Sequence, residues 1–201
     1  MARSKNNSKQ NHYVDNEEFL NAMVSFRNDV IQAKTDNSKR PQIPNYIGEC
    51  FIKIATHLSY KPNFINYTFR EDMISDGIEN CLQYIDNFDP SKSKNPFAYF
   101  TQIIYYAFLR RIQKEKKQLY VKYKAMERSG ILEEMAHQDS VHGGRNYNVR
   151  ETPMYSNMRD FVESYELSVQ AQKEKNQKNK IKKAKGLEKF TNKESKQWKL
   201  P

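Results

Sequence analysis

The sequence predicts an all-α fold, with a loosely ordered C-terminal arm and a basic tail. Apolar side chains recur at three- and four-residue intervals in four separate windows, helix-capping side chains stand ahead of two of them, and prolines fall between them. The expected organisation is a disordered stretch over 1–12, a helical domain over 13–128, a linker over 129–157, a short helix over 158–170 and a disordered lysine-rich tail over 171–201.

Residues 1–12 carry too few apolar side chains to bury. Asp15 or Asn16 is placed to cap a first helix running to about Lys34, with Glu17 and Glu18 in the first turn, where the helix dipole favours negative charge. Its inward residues are expected to be Phe19, Leu20, Met23, Val24, Val30 and Ile31. Thr35 to Asn45, with Pro41 and Pro44, reads as a loop. Tyr46 to Tyr60 reads as a second helix through Ile47, Cys50, Phe51, Ile54, Ala55 and Leu58. His57 lies beside that face with no second histidine near it, so it is read as structural and given no chemical role. Lys61 to Arg70 is an irregular aromatic segment, with Pro62, Phe64, Tyr67 and Phe69, expected to cover one end of the bundle.

The stretch from Asp72 to Lys117 organises the rest. In a helix from Asp72 to about Asp86, Ile74, Ile78, Cys81, Leu82 and Ile85 share one face, expected to be core. Asp72, Asp76, Glu79, Gln83 and Asp86 form an anionic stripe roughly opposite. Pro90 ends that helix within the turn Phe88–Lys94, and Asn95 followed by Pro96 starts the next. There Phe97, Phe100, Ile104, Phe108 and Ile112 are expected to pack inward. Tyr99, Gln102, Ile103, Tyr106, Arg110, Lys114 and Lys117 fall in a line on the other side. Aromatic faces stack on unpaired bases at about 1–3 kcal/mol each, and the cations that follow neutralise phosphates, so the line suits melted DNA. The plainer readings are a solvated acidic face and tyrosines that belong to the core.

The order of these residues adds to the reading. DMISDGIENCLQYIDNFDP resembles, without gaps, the second region of bacterial RNA polymerase sigma factors, and NPFAYFTQIIYYAFLRRI resembles the promoter-melting helix that follows it. YVDNEEFLNAM, the segment Lys61-Pro62-Asn63-Phe64, Asn95-Pro96 and the run Val121–Glu127 resemble the late-transcription sigma factors of T-even-type phages. The likeness covers Tyr13 to Met126, and more weakly reaches Tyr165. It implies a protein that is no enzyme and needs no cofactor, acting in the cytoplasm of an infected bacterial host. Its partners would be the host core RNA polymerase, through the clamp helices of the largest subunit, and the non-template strand of an A/T-rich minus-ten promoter element. Matched position by position, Asp72, Ser75, Asp76, Glu79 and Leu82 take the polymerase-docking places, and Gly77 matches a family glycine. Tyr99 matches an aromatic of the melting helix and Thr101 the threonine two residues on. The DNA-binding set implied is Tyr99, Gln102, Ile103, Tyr106, Arg110, Arg111, Lys114 and Lys117. Housekeeping members carry paired tryptophans where this chain has Gln102 and Ile103, a glutamine at Tyr106 and a polar residue at Leu109, so their promoter preference does not transfer.

The same likeness implies a tail segment that engages the phage sliding clamp beside a late coactivator. The candidate positions are Leu187 with Phe190, or Trp198 with Leu200, although their surroundings are lysine-rich where the family's are acidic. Nothing resembling the promoter-distal DNA-binding region of full-length sigma factors is seen, which implies reliance on the minus-ten element.

Charge and cysteine usage set the remaining bounds. The net charge of +10 is uneven: from Gln172 onward eleven lysines face three glutamates, a balance of +8. Within the body, seven cations from Arg110 to Lys124 face only Glu115, so one end of one helix carries its footprint for phosphate. No run approaches the apolar length of a membrane span, and the first residues lack the apolar core of a secretory signal. Cys50 and Cys81 both sit on apolar faces, which favours two reduced, buried thiols and a reducing compartment. Two other classes compete with the sigma reading. One is a metal-dependent nuclease built on Asp72, Asp76, Glu79 and Asp86, disfavoured because carboxylates along one helix diverge. The other is a basic DNA-binding accessory protein that works without polymerase.

Overall fold

A computed structural model describes residues 13–141 and 148–197 of the chain. Its helices are α1 (Asn16–Thr35), α2 (Asn45–Ser59), α3 (Arg70–Tyr84, followed by a 3-10 turn over Ile85–Asn87), α4 (Pro96–Ser129), α5 (Ile131–Val141) and α6 (Pro153–Gln197). No strand is present among the described residues, so the fold is all-α. The chain divides within α4, after Glu115, into two compact units.

In the first unit α2 packs on both α1 and α3. Asp15 is the cap of α1, its carboxylate accepting from the amides of Glu17 and Glu18 at 2.8 and 3.1 Å. Phe19, Met23, Phe26 and Val30 are buried, and Leu20 is partly so. Val24 and Ile31, expected inside, are exposed: they stand beside the ridge 19–23–26–30 rather than on it, and Phe26 takes the inward place. On α2 the six expected residues are all buried. His57 stacks face to face on Tyr13, centroids 3.8 Å apart, a packing role.

The buried ridge of α3 runs Met73, Gly77, Cys81 and then Ile85 in the 3-10 turn. Ile74 and Ile78 are only partly buried, and Leu82, expected in the core, is 41% exposed. The reason lies at Gly77. A Cβ there would stand 3.0 Å from Ile104 Cγ2 and 3.2 Å from Phe108 Cε1, so the glycine position itself faces inward and carries the apolar face round by about one residue. Around it sits an aromatic core in which Phe19, Phe26, Phe51, Phe64, Phe88, Phe100 and Phe108 are fully buried. Phe100 is its hub, with ring centroids at 4.6 Å from Phe51, 5.7 Å from Phe19 and 6.0 Å from Phe88.

Polar groups fix the ends of the elements. Asn95 Oδ1 accepts from the Ala98 amide at 2.9 Å, the expected cap of α4. Asn16 reaches the same helix start, accepting from the Phe97 amide and donating to the Lys94 carbonyl, both at 3.3 Å. Arg27 donates to the Phe88 carbonyl at 2.6 Å and pairs with Asp89 at 3.3 Å, clamping the turn that leads to α4. Hydrogen bonds from Ser91, then the Arg27 charge, hold the Asp89 carboxyl below the usual carboxylate range.

Cys50 and Cys81 are free and buried, as expected. Burial pushes the Cys81 thiol up to about 12, so the folded chain keeps its proton where an unfolded chain, with a thiol near about 8.5, gives it up. The unfolded state then binds fewer protons, and Cys81's contribution to stability, intact below about pH 8.5, is lost as pH climbs toward 12. A thiol reagent at neutral pH should label neither cysteine of the native chain and both in denaturant; rapid native labelling of Cys81 would contradict this packing.

In the second unit Tyr120 stacks on Tyr165 at 4.6 Å and Tyr123 meets Phe161 edge-on at 5.6 Å. The Tyr120 hydroxyl donates to Glu166 at 2.9 Å, and Lys124 pairs with the same carboxylate at 3.3 Å. Leu132, Met158 and Val162 are buried. Gly130, at φ +64°, supplies the left-handed residue that separates α4 from α5. Two expectations are corrected here. The linker over 129–157 contains a helix, α5, and the short helix over 158–170 begins at Pro153 and runs to Gln197. The stretch from 171 onward, expected to be disordered for want of apolar residues, is therefore helical through 197. Lys, Gln, Glu and Ala are strong helix formers, and a shortage of apolar surface says nothing against local helicity. The expected disorder over 1–12 lies outside the described residues. Among those described, no helix is long and apolar enough to cross a membrane.

Candidate docking and nucleic-acid surfaces

Because Gly77 turns inward, the outward side of α3 is centred on Ser75, Glu79 and Leu82, all exposed. Glu79 has no ion pair among the described residues. The rest of the anionic stripe is engaged from within the unit. Arg111 Nη2 lies 3.0 Å from Asp72, Nη1 3.3 Å from Asp76 and Nε 3.1 Å from Glu115, with only 17% of its side chain exposed. Asp86, at the far end, pairs with Arg40 at 3.0 Å. Three carboxylates around one guanidinium leave the Arg111 cluster net negative, so the face keeps its sign while losing part of its reach.

On α4 the inward face is Phe100, Ile104, Ala107, Phe108 and Ile112, with Phe97 partly covered. The expected open line is split by the structure. Gln102, Tyr106, Arg110, Lys114 and, in the second unit, Lys117 are exposed. Tyr99 and Ile103 instead pack against the core, the Tyr99 ring 5.3 Å from Phe88 and 5.1 Å from Phe100, and burial raises the Tyr99 hydroxyl above the ordinary phenol. The outward side of α4 is thus rotated toward Gln102, Tyr105 and Tyr106, away from the 88–94 turn that covers Tyr99. Tyr105 and Tyr106 meet edge-on at 5.9 Å, and Tyr105 rests on Phe64 at 5.7 Å. Together with Leu58, Lys61, Phe97, Ala98, Thr101 and Gln102 they line an open groove of about 530 Å³. Of the rings that line this groove, Tyr106, 50% exposed, is the most open.

Comparison with protein-family models and with curated proteins finds no match to this chain. The geometry therefore carries the reading beside the resemblance. Arg111, expected on phosphate, is a tie between α3 and α4, and Arg110 donates to Asn80 Oδ1 at 2.6 Å, a second link between the same helices. Tyr105, Lys61 and Leu58 are the site residues that the sequence reading missed. The adjacent pair Tyr105-Tyr106 was the available signal: on a helix with one apolar face, two neighbouring rings of which one is outward put the second at its rim. Of the tail candidates, Leu187 and Phe190 fall on α6 where only the backbone is described, and Trp198 and Leu200 lie outside the described residues. Among the described residues no group of three His, Cys, Asp or Glu side chains is arranged to hold a metal ion.

Proposed function

We propose that the first unit is a sigma-type promoter-melting module, a phage late-transcription factor that docks on host core RNA polymerase and captures an opened A/T-rich minus-ten element. The observation that supports it best is the frame itself: an outward Ser75–Glu79–Leu82 face on α3 beside a groove on α4 lined by Tyr105, Tyr106 and Gln102, in the order the resemblance implies. In this reading the α3 face meets the clamp helices of the largest subunit, where complementary charge supplies orientation and specificity. Tyr106, with Tyr105 at the rim, stacks on non-template bases as they unpair, while Arg110 and Lys114 face the backbone. Arg111 holds the two helices in register and leaves phosphate to the others. Phosphodiester chemistry belongs to the polymerase, so this chain is no enzyme. Coupling to a sliding clamp and a late coactivator, through Leu187 with Phe190 or Trp198 with Leu200, belongs to the same proposal.

The test uses two substitutions that break no hydrogen bond or ion pair described above. Glu79→Lys should weaken comigration with core polymerase roughly tenfold or more, since like charges brought together at an interface cost several kcal/mol. Asp76→Lys is the poorer probe, because it also removes an Arg111 partner. Tyr106→Ala should leave comigration intact and reduce open-complex formation on an A/T-rich minus-ten template by about 1–3 kcal/mol. A wild-type chain that binds DNA without comigrating with polymerase, or one that cleaves DNA when magnesium is added, would remove the proposal.

A further inference from the structure

The lysines beyond Ala171 play no part in the reading above, yet they are the largest excess of positive charge in the chain. From Leu167 to Lys180 nearly every side chain on α6 is exposed, including Lys173, Lys175, Lys178 and Lys180. The helix continues to Gln197, and its register sorts the lysines. At 3.6 residues per turn, Lys175, Lys178, Lys182, Lys185, Lys189, Lys193 and Lys196 fall within an arc of about 80°. Every position inside that arc from 175 to 196 is a lysine, and none of Glu174, Glu188 and Glu194 falls in it. Lys173, Lys180 and Lys183 take positions on the other side.

We propose that this half of α6 is a duplex-DNA-binding arm that reads the phosphate backbone without regard to sequence. Seven lysine positions on one side of the helical backbone span about 31 Å at the helical rise of about 1.5 Å per residue, against a duplex carrying about one charge per 1.7 Å of axis. The charge complement is linear on both sides, and a rod of lysines is a point-charge surface suited to phosphate and indifferent to base edges. A membrane surface fits the pattern poorly. An interfacial helix needs an apolar stripe opposite its basic one, and the three large apolar residues of the run, Ile181, Leu187 and Phe190, are spread over about half the circumference. The row also explains its own need for a counter-charge. Lysines three and four apart repel one another along a helix, and phosphates laid along the same axis relieve that repulsion, so binding steadies the helix.

The experiment measures full-length protein, without polymerase, against a fluorescently labelled duplex longer than the lysine row, by anisotropy over a series of potassium chloride concentrations. Two triple variants remove the same charge: Lys178→Gln with Lys182→Gln and Lys185→Gln from the row, and Lys173→Gln with Lys180→Gln and Lys183→Gln from the other side. The row variant should bind roughly tenfold or more weakly than wild type and flatten the salt dependence by about 0.9 for each phosphate it no longer neutralises, while the off-row variant changes both far less. Far-ultraviolet circular dichroism should show the helix melting at a higher temperature when duplex is present. Equal losses in the two variants, no duplex binding, or binding to phosphatidylserine vesicles in preference to duplex would each overturn the proposal. Neither variant touches Glu79 or Tyr106, so polymerase comigration, measured in parallel, separates a failure here from a failure of the sigma reading.

Discussion

Phe100→Ala should destabilise the first unit by about 3–5 kcal/mol, enough to remove a large share of the total stability of a small domain. The ring touches Phe19 on α1, Phe51 on α2 and Phe88 in the turn before α4, so its loss opens a hole bordered by three separate segments. None of those neighbours can close the gap without leaving its own place in the core. A urea titration followed by tyrosine fluorescence or circular dichroism measures the change in midpoint. A loss below about 1 kcal/mol would mean that the aromatic core is packed in some other way.

Gly77→Leu should be the second severe change. The new side chain would begin at a Cβ 3.0 Å from Ile104 Cγ2 and 3.2 Å from Phe108 Cε1, with three further carbons to place among fully buried neighbours. Overpacking of this kind costs about 1–3 kcal/mol and sometimes more, against which leaving glycine in a helix interior returns only about 1 kcal/mol. The same denaturation measurement applies, with a coupling control. Adding Ile104→Ala to Gly77→Leu should cost clearly less than the sum of the two single changes, because the second substitution empties the space that the first invades. Strict additivity would place Gly77 away from Ile104. Since α3 also carries Ser75, Glu79 and Leu82, a forced shift of this helix should, on the proposed function, weaken comigration with polymerase although none of these three residues is altered.

The helices are legible wherever polar and apolar residues separate cleanly. The window from Ile47 to Leu58 has one apolar stripe, and all six residues expected inward are inward. On α3 the sequence offers two adjacent stripes, Met73–Gly77–Cys81 and Ile74–Ile78–Leu82, and a wheel weighted by hydrophobicity chooses the second because glycine adds nothing to the first. Only the approach of Ile104 and Phe108 reveals the choice made, and with it Leu82 moves to the surface. A similar blindness affects Tyr99, whose cover comes from Phe88 in a turn that no helical period describes. The cross-helix ties of Arg110 and Arg111 are out of reach for a further reason. Charge patterning along one helix shows which residues share a stripe, but partners on a second helix emerge only when the two are laid together. The lysine tail misleads because burial is the wrong test for its order, when the backbone of Lys- and Gln-rich sequence coils without needing anything to bury.

Asn16 has one more implication, for how the chain must be assembled and how it can be cut. Its side chain accepts from the Phe97 amide in the first turn of α4, 81 residues on, and donates to the Lys94 carbonyl, 78 residues on, while Arg27 grips the preceding turn across 61. An up-and-down bundle with short connections gathers its neighbours locally, whereas here α1, besides packing on α2, is tied by Asn16 and Arg27 to segments far along the chain. Folding should accordingly be slower than helix content alone suggests. Any shortened version of the first unit must begin no later than Asp15, because a fragment starting at α2 would leave α4 to fray from its leading end.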